Sequence, residues 1–362
     1  LTYAVYSFFT GYLNGLRGFK FEAALRVLYG FLKLFFIIGL AAITMSVFYA
    51  FAGFVLASIV IVAVGYIVFR KVNAETREKI RQQECSPIQF FKFALPLFVF
   101  VLITNILLSL DLWMIKALFP PSIANVQAAY YTVASTISRL SFYAVMALTA
   151  VLLPIVSHLS HYERFDKVRL YIRNANRYTI MLLAPIVVLL SVKSTELCVL
   201  LFGEKFAAAG LPLSILAFGL GFFALFSVLA AIVSGHGKPK IVTIISIAAL
   251  MFDFALNYIL IPVFGLFGAA IATTVSLFFA LLVLSVYVWF TFKAFCAIKS
   301  IAKIVFAAFI AYVVAVLIPF SGFAIFLVYG LAGFVYFGVL VFSGELSQKD
   351  FTLVKAIFFT GD

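Results

Sequence analysis

The stretch KIVTIISIAALMFDFALNYILIPVFGLFGAAIATTVSLFFALLVLSVYVWF, residues 240–290, decides the fold. After Lys240 it contains one ionisable acid, Asp253, and no other charged residue. About 20 predominantly apolar residues cross the hydrocarbon core of a bilayer. The stretch is too long for one crossing, so it divides into spans over 240–262 and 264–290, with Pro262 closing the first.

Working outward, apolar stretches of the same kind lie near 2–16, 22–44, 47–69, 89–119, 126–157, 174–192, 208–234, 300–319 and 322–342. That makes eleven expected spans in 362 residues, of which 66% are hydrophobic and 11% charged. The composition is that of an all-α polytopic membrane protein. The gaps between spans alternate between basic and nearly free of Lys and Arg. One alternate set and its flanking turns hold 21 of the 26 basic residues, and the other holds only Lys116, Lys193 and Lys205. Basic loops stay cytoplasmic, so the first span is expected to run inward and the C-terminus to be cytoplasmic. The net charge of +13 follows from that topology. Anionic membrane lipids are its expected partners, and nucleic acid is excluded because no stretch outside the spans could fold into a basic face.

The expected organisation is a partial N-terminal bundle of three helices over 1–70, a cytoplasmic linker over 71–88 and a six-helix bundle over 89–292. Two extra helices over 300–342 and a cytoplasmic tail over 343–362 follow. The chain opens on Leu1 with a span already under way, which reads as an N-terminally truncated segment of the cell membrane protein. Three cysteines, Cys85, Cys198 and Cys296, form no disulfide framework. The gaps leave almost no mass outside the membrane, so function must reside between helices.

An ionised group at mid-bilayer costs at least about 2.5–3.5 kcal/mol on insertion scales, and so faces a cavity or a partner. Lys33 and Arg139 are the two basic residues inside spans, and Asp111 and Asp253 are the deep acids. Polar neighbours share helical faces with them: Tyr3, Ser7, Thr10, Asn14 and Arg17; Glu22, Arg26, Tyr29 and Lys33; Thr132, Ser135, Arg139 and Tyr143. Shorter stripes join Thr104 to Asp111, and Ser246 to Asp253 and Asn257. Such stripes suit a water-filled cavity. The expected substrate-contacting set is Lys33, Arg139, Asn14, Tyr29, Thr132 and Ser135. Asp111, Asp253 and Asn257 are candidates for ion coupling. Two simpler readings stand beside these: Asp111 and Arg139 neutralise each other, and Asn257 is an interhelical hydrogen-bond donor. Pro96 and Pro154, inside spans, are hinge candidates.

Signals of enzymatic chemistry are absent. No GxxxxGK[ST] phosphate loop occurs, and His158, His161 and His236 lack metal-ligand company. The acids show no pairing of the kind glycosidic hydrolysis uses.

Several segments in order resemble the polysaccharide-export, Wzx-type flippases of the multidrug/oligosaccharidyl-lipid/polysaccharide exporter superfamily. FFKFALPLFVFVLITNILLSLDLWMI (90–115) is similar to the helix that opens the family's second bundle. AAYYTVASTISRL (128–140), AVLLPIVSHLS (150–160) and LLFGEKFAAAGLPLSIL (200–216) follow in the family's order. ALNYILIPVFGLFGAAIATTVS (255–276) resembles its most specific signature through Asn257, Pro262, Gly265, Gly268 and Thr273. FSGELSQKDFTLVKAIF (342–358) resembles its C-terminus, and residues 1–70 its fourth to sixth helices. Asp253 departs from the pattern, where a neutral polar residue is commoner.

The resemblance implies two six-helix bundles followed by two extra helices, so eleven spans plus three give fourteen. It implies a secondary transporter, not an enzyme, that flips an isoprenoid-pyrophosphate-linked oligosaccharide from inner to outer leaflet by alternating access. Lys33 and Arg139 would then hold the pyrophosphate, without a cofactor and with H⁺ or Na⁺ coupling through the acids. Other polysaccharide-assembly proteins are implied partners. The alternatives are a multidrug antiporter of the same superfamily and a flippase for the peptidoglycan precursor.

Overall fold

The computed structural model describes residues 2–15, 19–76, 87–161, 165–294, 297–318 and 322–346. Among them every regular element is helical. The chain separates into two compact units, Leu1–Cys85 and Ser86–Asp362. The break lies within the polar 71–88 stretch, of which 77–86 fall outside the described residues, as do the tail residues 347–362.

The first unit holds α1 (Thr2–Gly15), α2 (Phe19–Thr44) and α3 (Val47–Thr76). Its core joins Tyr6, Leu13, Leu25, Tyr29, Ala57 and Ile61. The approach of α2 and α3 is set at Gly53, where a Cβ would lie 2.4 Å from the Phe36 carbonyl oxygen. Small residues permit this closeness where lipid supplies no hydrophobic drive between helices.

The second unit begins with α4 (Pro87–Leu118), α5 (Pro121–His161) and α6 (Phe165–Val192). It continues with the short α7 (Ser194–Phe202), α8 (Gly210–Gly235), α9 (Pro239–Phe292), α10 (Ile298–Leu317) and α11 (Ile325–Phe342). The centre is α8, which packs on α5, α6 and α9 and is buried over most of its length. Its sequence is apolar all round, as a helix without an exposed face must be. Its glycines make the contacts close: a Cβ on Gly219 would meet the Thr274 hydroxyl at 2.7 Å, and one on Gly221 the Val187 side chain at 2.9 Å.

One long helix, α9, folds back on itself. Gly265 has φ 59° and ψ −136°, a conformation side-chain-bearing residues avoid. Beyond it, a Cβ on Gly268 would lie 2.3 Å from the Leu260 carbonyl oxygen. In a straight helix those residues would stand about 12 Å apart. Pro262 and Gly265 thus turn the 240–290 stretch into two antiparallel arms, as its length requires.

Among the described residues, eight helices are long and apolar enough to cross a membrane by these properties alone, and α9 supplies two of the expected crossings. The remaining two expected spans fall on α1 and α5. The first is 14 residues long as described. The second has 41 residues.

The last helices dock on α6. Tyr336 donates its hydroxyl to the Met181 carbonyl at 2.7 Å. Glu345, 5% exposed, receives Arg177 Nε at 2.7 Å, and its carbonyl accepts a second guanidinium bond. Lys303 lies 3.8 Å from the same carboxylate and donates to the Ser343 carbonyl at 2.8 Å. Buried Cys198 carries a thiol that burial pushes up to about 11. It is inert, since the thiolate is the reactive form.

Candidate functional site

Acids deep in the second unit are brought together by three elements. Asp111 stands on α4, Tyr131 on α5, and the two arms of α9 contribute Asp253 and Asn257 from one side of the break and Thr273 and Ser276 from the other. Only the fold-back allows this, because Asn257 and Thr273 would be about 24 Å apart along a straight helix. All six are almost completely buried: Asp253, Asn257 and Ser276 at 0%, Thr273 at 1%, Asp111 and Tyr131 at 3%.

Asp111 is the acceptor at the centre. Its Oδ2 receives the Tyr131 hydroxyl at 2.5 Å and the Thr273 hydroxyl at 2.6 Å, and its Oδ1 receives Asn257 Nδ2 at 3.0 Å. The same Asn257 amide reaches back to the Asp253 carbonyl at 3.0 Å, tying the two aspartates to one side chain. Around Asp253 the hydrogen bonding is open. Both of its carboxylate oxygens, Oδ1 of Asn257 and Oγ of Ser276 have no hydrogen-bond partner among the described residues. Neither aspartate enters an ion pair there. Buried oxygens of this kind are normally satisfied, so a set of them marks a place for something else.

The donor set is oxygen only, with two carboxylates, an amide oxygen and hydroxyls. Among the described residues no group of three or more His, Cys, Asp or Glu side chains occurs. Such a site suits a proton or a hard monovalent cation better than a transition metal. Two acids without a basic partner inside a membrane bundle are the arrangement expected of an ion or proton relay.

The expectation that Asp111 and Arg139 neutralise each other gives way to this geometry, because Asp111 is held by Tyr131, Thr273 and Asn257 instead. Asn257 is indeed an interhelical donor, and it is also part of the acid cluster. Thr104 does not join Asp111; its hydroxyl bonds the Phe100 and Val101 carbonyls of its own helix at 2.9 and 3.0 Å. Ser246 likewise turns to the Val242 carbonyl. Tyr131 and Thr273 were not among the expected ion-coupling residues. The usable signal was the pairing of Asp253 and Asn257, one turn apart, with a threonine and a serine placed beyond a Pro-x-x-Gly turn.

Arg139, partly buried on α5, has no hydrogen-bond or ion-pair partner among the described residues. On its stripe, Thr132 bonds the Ala128 carbonyl at 2.7 Å and Ser135 the Thr132 carbonyl at 3.1 Å. Thr132 and Tyr143 are exposed. In the first unit, Glu22 and Arg26 form an i, i+4 ion pair at 2.7 Å, and Lys33 of the same stripe has no ion-pair partner among the described residues. Its Nζ lies 4.5 Å from the centre of the Tyr29 ring and 5.2 Å from that of Phe54. Tyr29 is fixed in turn by Ser58 at 3.1 Å. Tyr3 and Asn14 are on α1, with their side chains outside the described residues, as are Arg17 and the side chains of His158 and His161. Of the hinge candidates, Pro96 interrupts α4 and its carbonyl accepts the Thr243 hydroxyl at 2.8 Å. Pro154 lies within α5, its side chain outside the described residues.

The all-helical architecture with its folded-back helix is shared with solved membrane proteins. The chain matches a solved "Lipid II flippase MurJ, inward closed conformation" with a TM-score of 0.73 and 18% identity, over 95% of this chain and 72% of that one. It also matches a mutant of the Vibrio cholerae MATE transporter VcmN, with a TM-score of 0.63 and 19% identity over 81% and 65% of the two chains. The fold is therefore the one these solved transporters share. Residues 2–339 match the model of one family, and the chain belongs to that family, lipid II flippase MurJ. Its members are transporters, not enzymes. The chain is also 33% identical over 156 residues to an uncharacterised membrane protein of Methanocaldococcus jannaschii, a match over 42% of this chain and about 30% of that protein's length. The family shown is the peptidoglycan-precursor flippase that the sequence offered as an alternative, and the polysaccharide-export branch gains no specific support.

Proposed function

We propose that this protein moves a lipid-linked glycan precursor of the peptidoglycan type from the inner to the outer leaflet by alternating access. The observation that carries the reading is the family match over residues 2–339. The chemistry agrees with it. A glycan and a pyrophosphate lose their hydrogen bonds to water in hydrocarbon, so the passage needs a polar route. Lys33, backed by Tyr29 and Phe54, and Arg139, free of any carboxylate among the described residues, are the side chains assigned to the pyrophosphate. Arg suits this task through its bidentate fork. The Asp111–Asp253 cluster is assigned to H⁺ or Na⁺ coupling, its open oxygens being those of Asp253, Asn257 and Ser276.

The test is a proteoliposome assay with the full-length protein and fluorescent isoprenoid-pyrophosphate-linked disaccharide-peptide. Accelerated exposure of the label to an external quencher is expected, together with loss of that acceleration when the ion gradient is collapsed. Unchanged exposure with this precursor, alongside export of an organic cation, would replace the reading with that of a multidrug antiporter.

A further inference from the structure

A cavity of about 780 Å³ opens between the N-terminal half of α6, the end of α9 and the start of α10. None of its lining residues belongs to the acid cluster or to the stripe of Arg139. Two cations, Arg173 and Lys293, stand in its lining, with an apolar wall that includes Trp289, Phe290, Ile298 and Ile301. Both cations are exposed, and neither has an acidic partner among the described residues. The nearby Asp166 is engaged with Arg169 at 3.5 Å.

Lys293 also occupies an unusual backbone position. It caps α9 in the left-handed conformation, with φ 50° and ψ 35°, while Arg169 Nε bonds the Phe292 carbonyl beside it at 2.9 Å. A helix C-terminus of this shape ordinarily takes glycine, and a side chain there is disfavoured. Lysine is thus retained against backbone preference, and its side chain lines the cavity. On the expected topology this end of the bundle faces the cytoplasm, at the depth where Trp and basic side chains meet lipid headgroups.

We propose that this cavity binds an anionic phospholipid of the inner leaflet, its phosphate held by Arg173 and Lys293 and an acyl chain laid against Trp289, Phe290, Ile298 and Ile301. The occupant follows from charge and shape together. A guanidinium and an ammonium recognise phosphate, and basic pockets between membrane helices take anionic headgroups. The volume is that of a ligand site and the walls are apolar. The cavity shares no lining residue with those assigned to the cargo, so its occupant is a resident lipid and not the transported one.

The test uses purified full chain in detergent, with phosphatidylglycerol, phosphatidylcholine of the same acyl chains and undecaprenyl pyrophosphate as probes, and retained lipid counted by native mass spectrometry. Wild type is expected to retain phosphatidylglycerol in preference to phosphatidylcholine. Each cation near the surface contributes about fivefold, so the Lys293→Gly, Arg173→Gln double variant loses about thirtyfold in that preference. Lys293→Gly alone relieves the left-handed strain and keeps or raises the melting temperature, which separates lost binding from lost folding. Lys240→Gln, an exposed basic position outside the cavity, keeps the preference. Retention of phosphatidylglycerol unchanged in the double variant would overturn the proposal. So would displacement of the phospholipid by stoichiometric undecaprenyl pyrophosphate, which would make the cavity part of the cargo path.

Discussion

The two buried aspartates should respond to the same substitution with opposite signs. Asp111→Asn and Asp253→Asn each remove an ionisable group from the membrane interior, which relieves part of an insertion cost of about 2.5–3.5 kcal/mol. That relief is common to both, so the difference between the variants reports their surroundings. Asp111 accepts three hydrogen bonds, from Tyr131, Thr273 and Asn257. A bond to a charged group contributes about 1.5–3 kcal/mol and a neutral one about 0.5–1.5 kcal/mol, so each bond weakens by roughly 1 kcal/mol. The amide must also turn its NH₂ towards either hydroxyls that now donate or an amide that now donates. Asp111→Asn should therefore be less stable than Asp253→Asn by about 3 kcal/mol. At Asp253 no bond is lost, and the new amide brings a donor within one helical turn of the unpartnered Asn257 oxygen. Thermal unfolding in detergent should place Asp253→Asn above wild type and Asp111→Asn below it. Asp253→Asn should also abolish any rise in melting temperature that Na⁺ or acid produces in wild type. Equal shifts of the two variants, or cation stabilisation persisting in Asp253→Asn, would refute the account of the cluster.

Three other outcomes follow from the structure. A Lys33→Ala, Arg139→Ala double variant should insert normally yet fail to flip the lipid-linked precursor in proteoliposomes, and full activity would end their assignment to the pyrophosphate. Glu345→Ala should cost about 2–3 kcal/mol, below the ~3–5 kcal/mol of a fully buried pair because the Arg177 side chain keeps 23% exposure; lowered melting temperature and faster tryptic cleavage around α10 and α11 are the readouts. Burial and the neighbouring Lys238 hold the His236 imidazole below its ordinary range, so the folded state resists protonation there. Stability is then present above about 6.5, the ordinary histidine value, and falls as the pH drops below it; His236→Gln should flatten that stretch of the melting-temperature profile.

Much of the fold was legible because crossing a membrane leaves a long, one-sided chemical trace. The 240–290 stretch declared itself as two spans by length alone, and Pro262 with Gly265 marked where it turns. Lys33 and Arg139 stood out for the same reason, being costly charges in apolar runs. The acid cluster was only half legible. Asp111, Asp253 and Asn257 could be named from depth, but their partners depend on which helices pack together, and a stripe on one helix does not carry that information. Thr104 and Ser246 share a face with the acids and still bond their own backbone, the ordinary fate of hydroxyls on helices. Tyr131 neighbours the exposed Thr132 and points the other way, into the core. The segment 255–276 was read for the family's general pattern, and what it builds in this chain is the turn at Gly265, which says nothing of the cargo.

The docking of α10 and α11 gives the second unit a built-in ruler. Tyr336 grips the Met181 carbonyl near the middle of α6, and Glu345, just past α11, joins Arg177 one helical turn away and Lys303 of α10. With α6 also packed on α8, spin labels on α11 and α8 should hold one fixed spacing under every condition that drives transport. Measured alongside that constant, any changing distance from a label in the first unit becomes a direct record of the transport stroke.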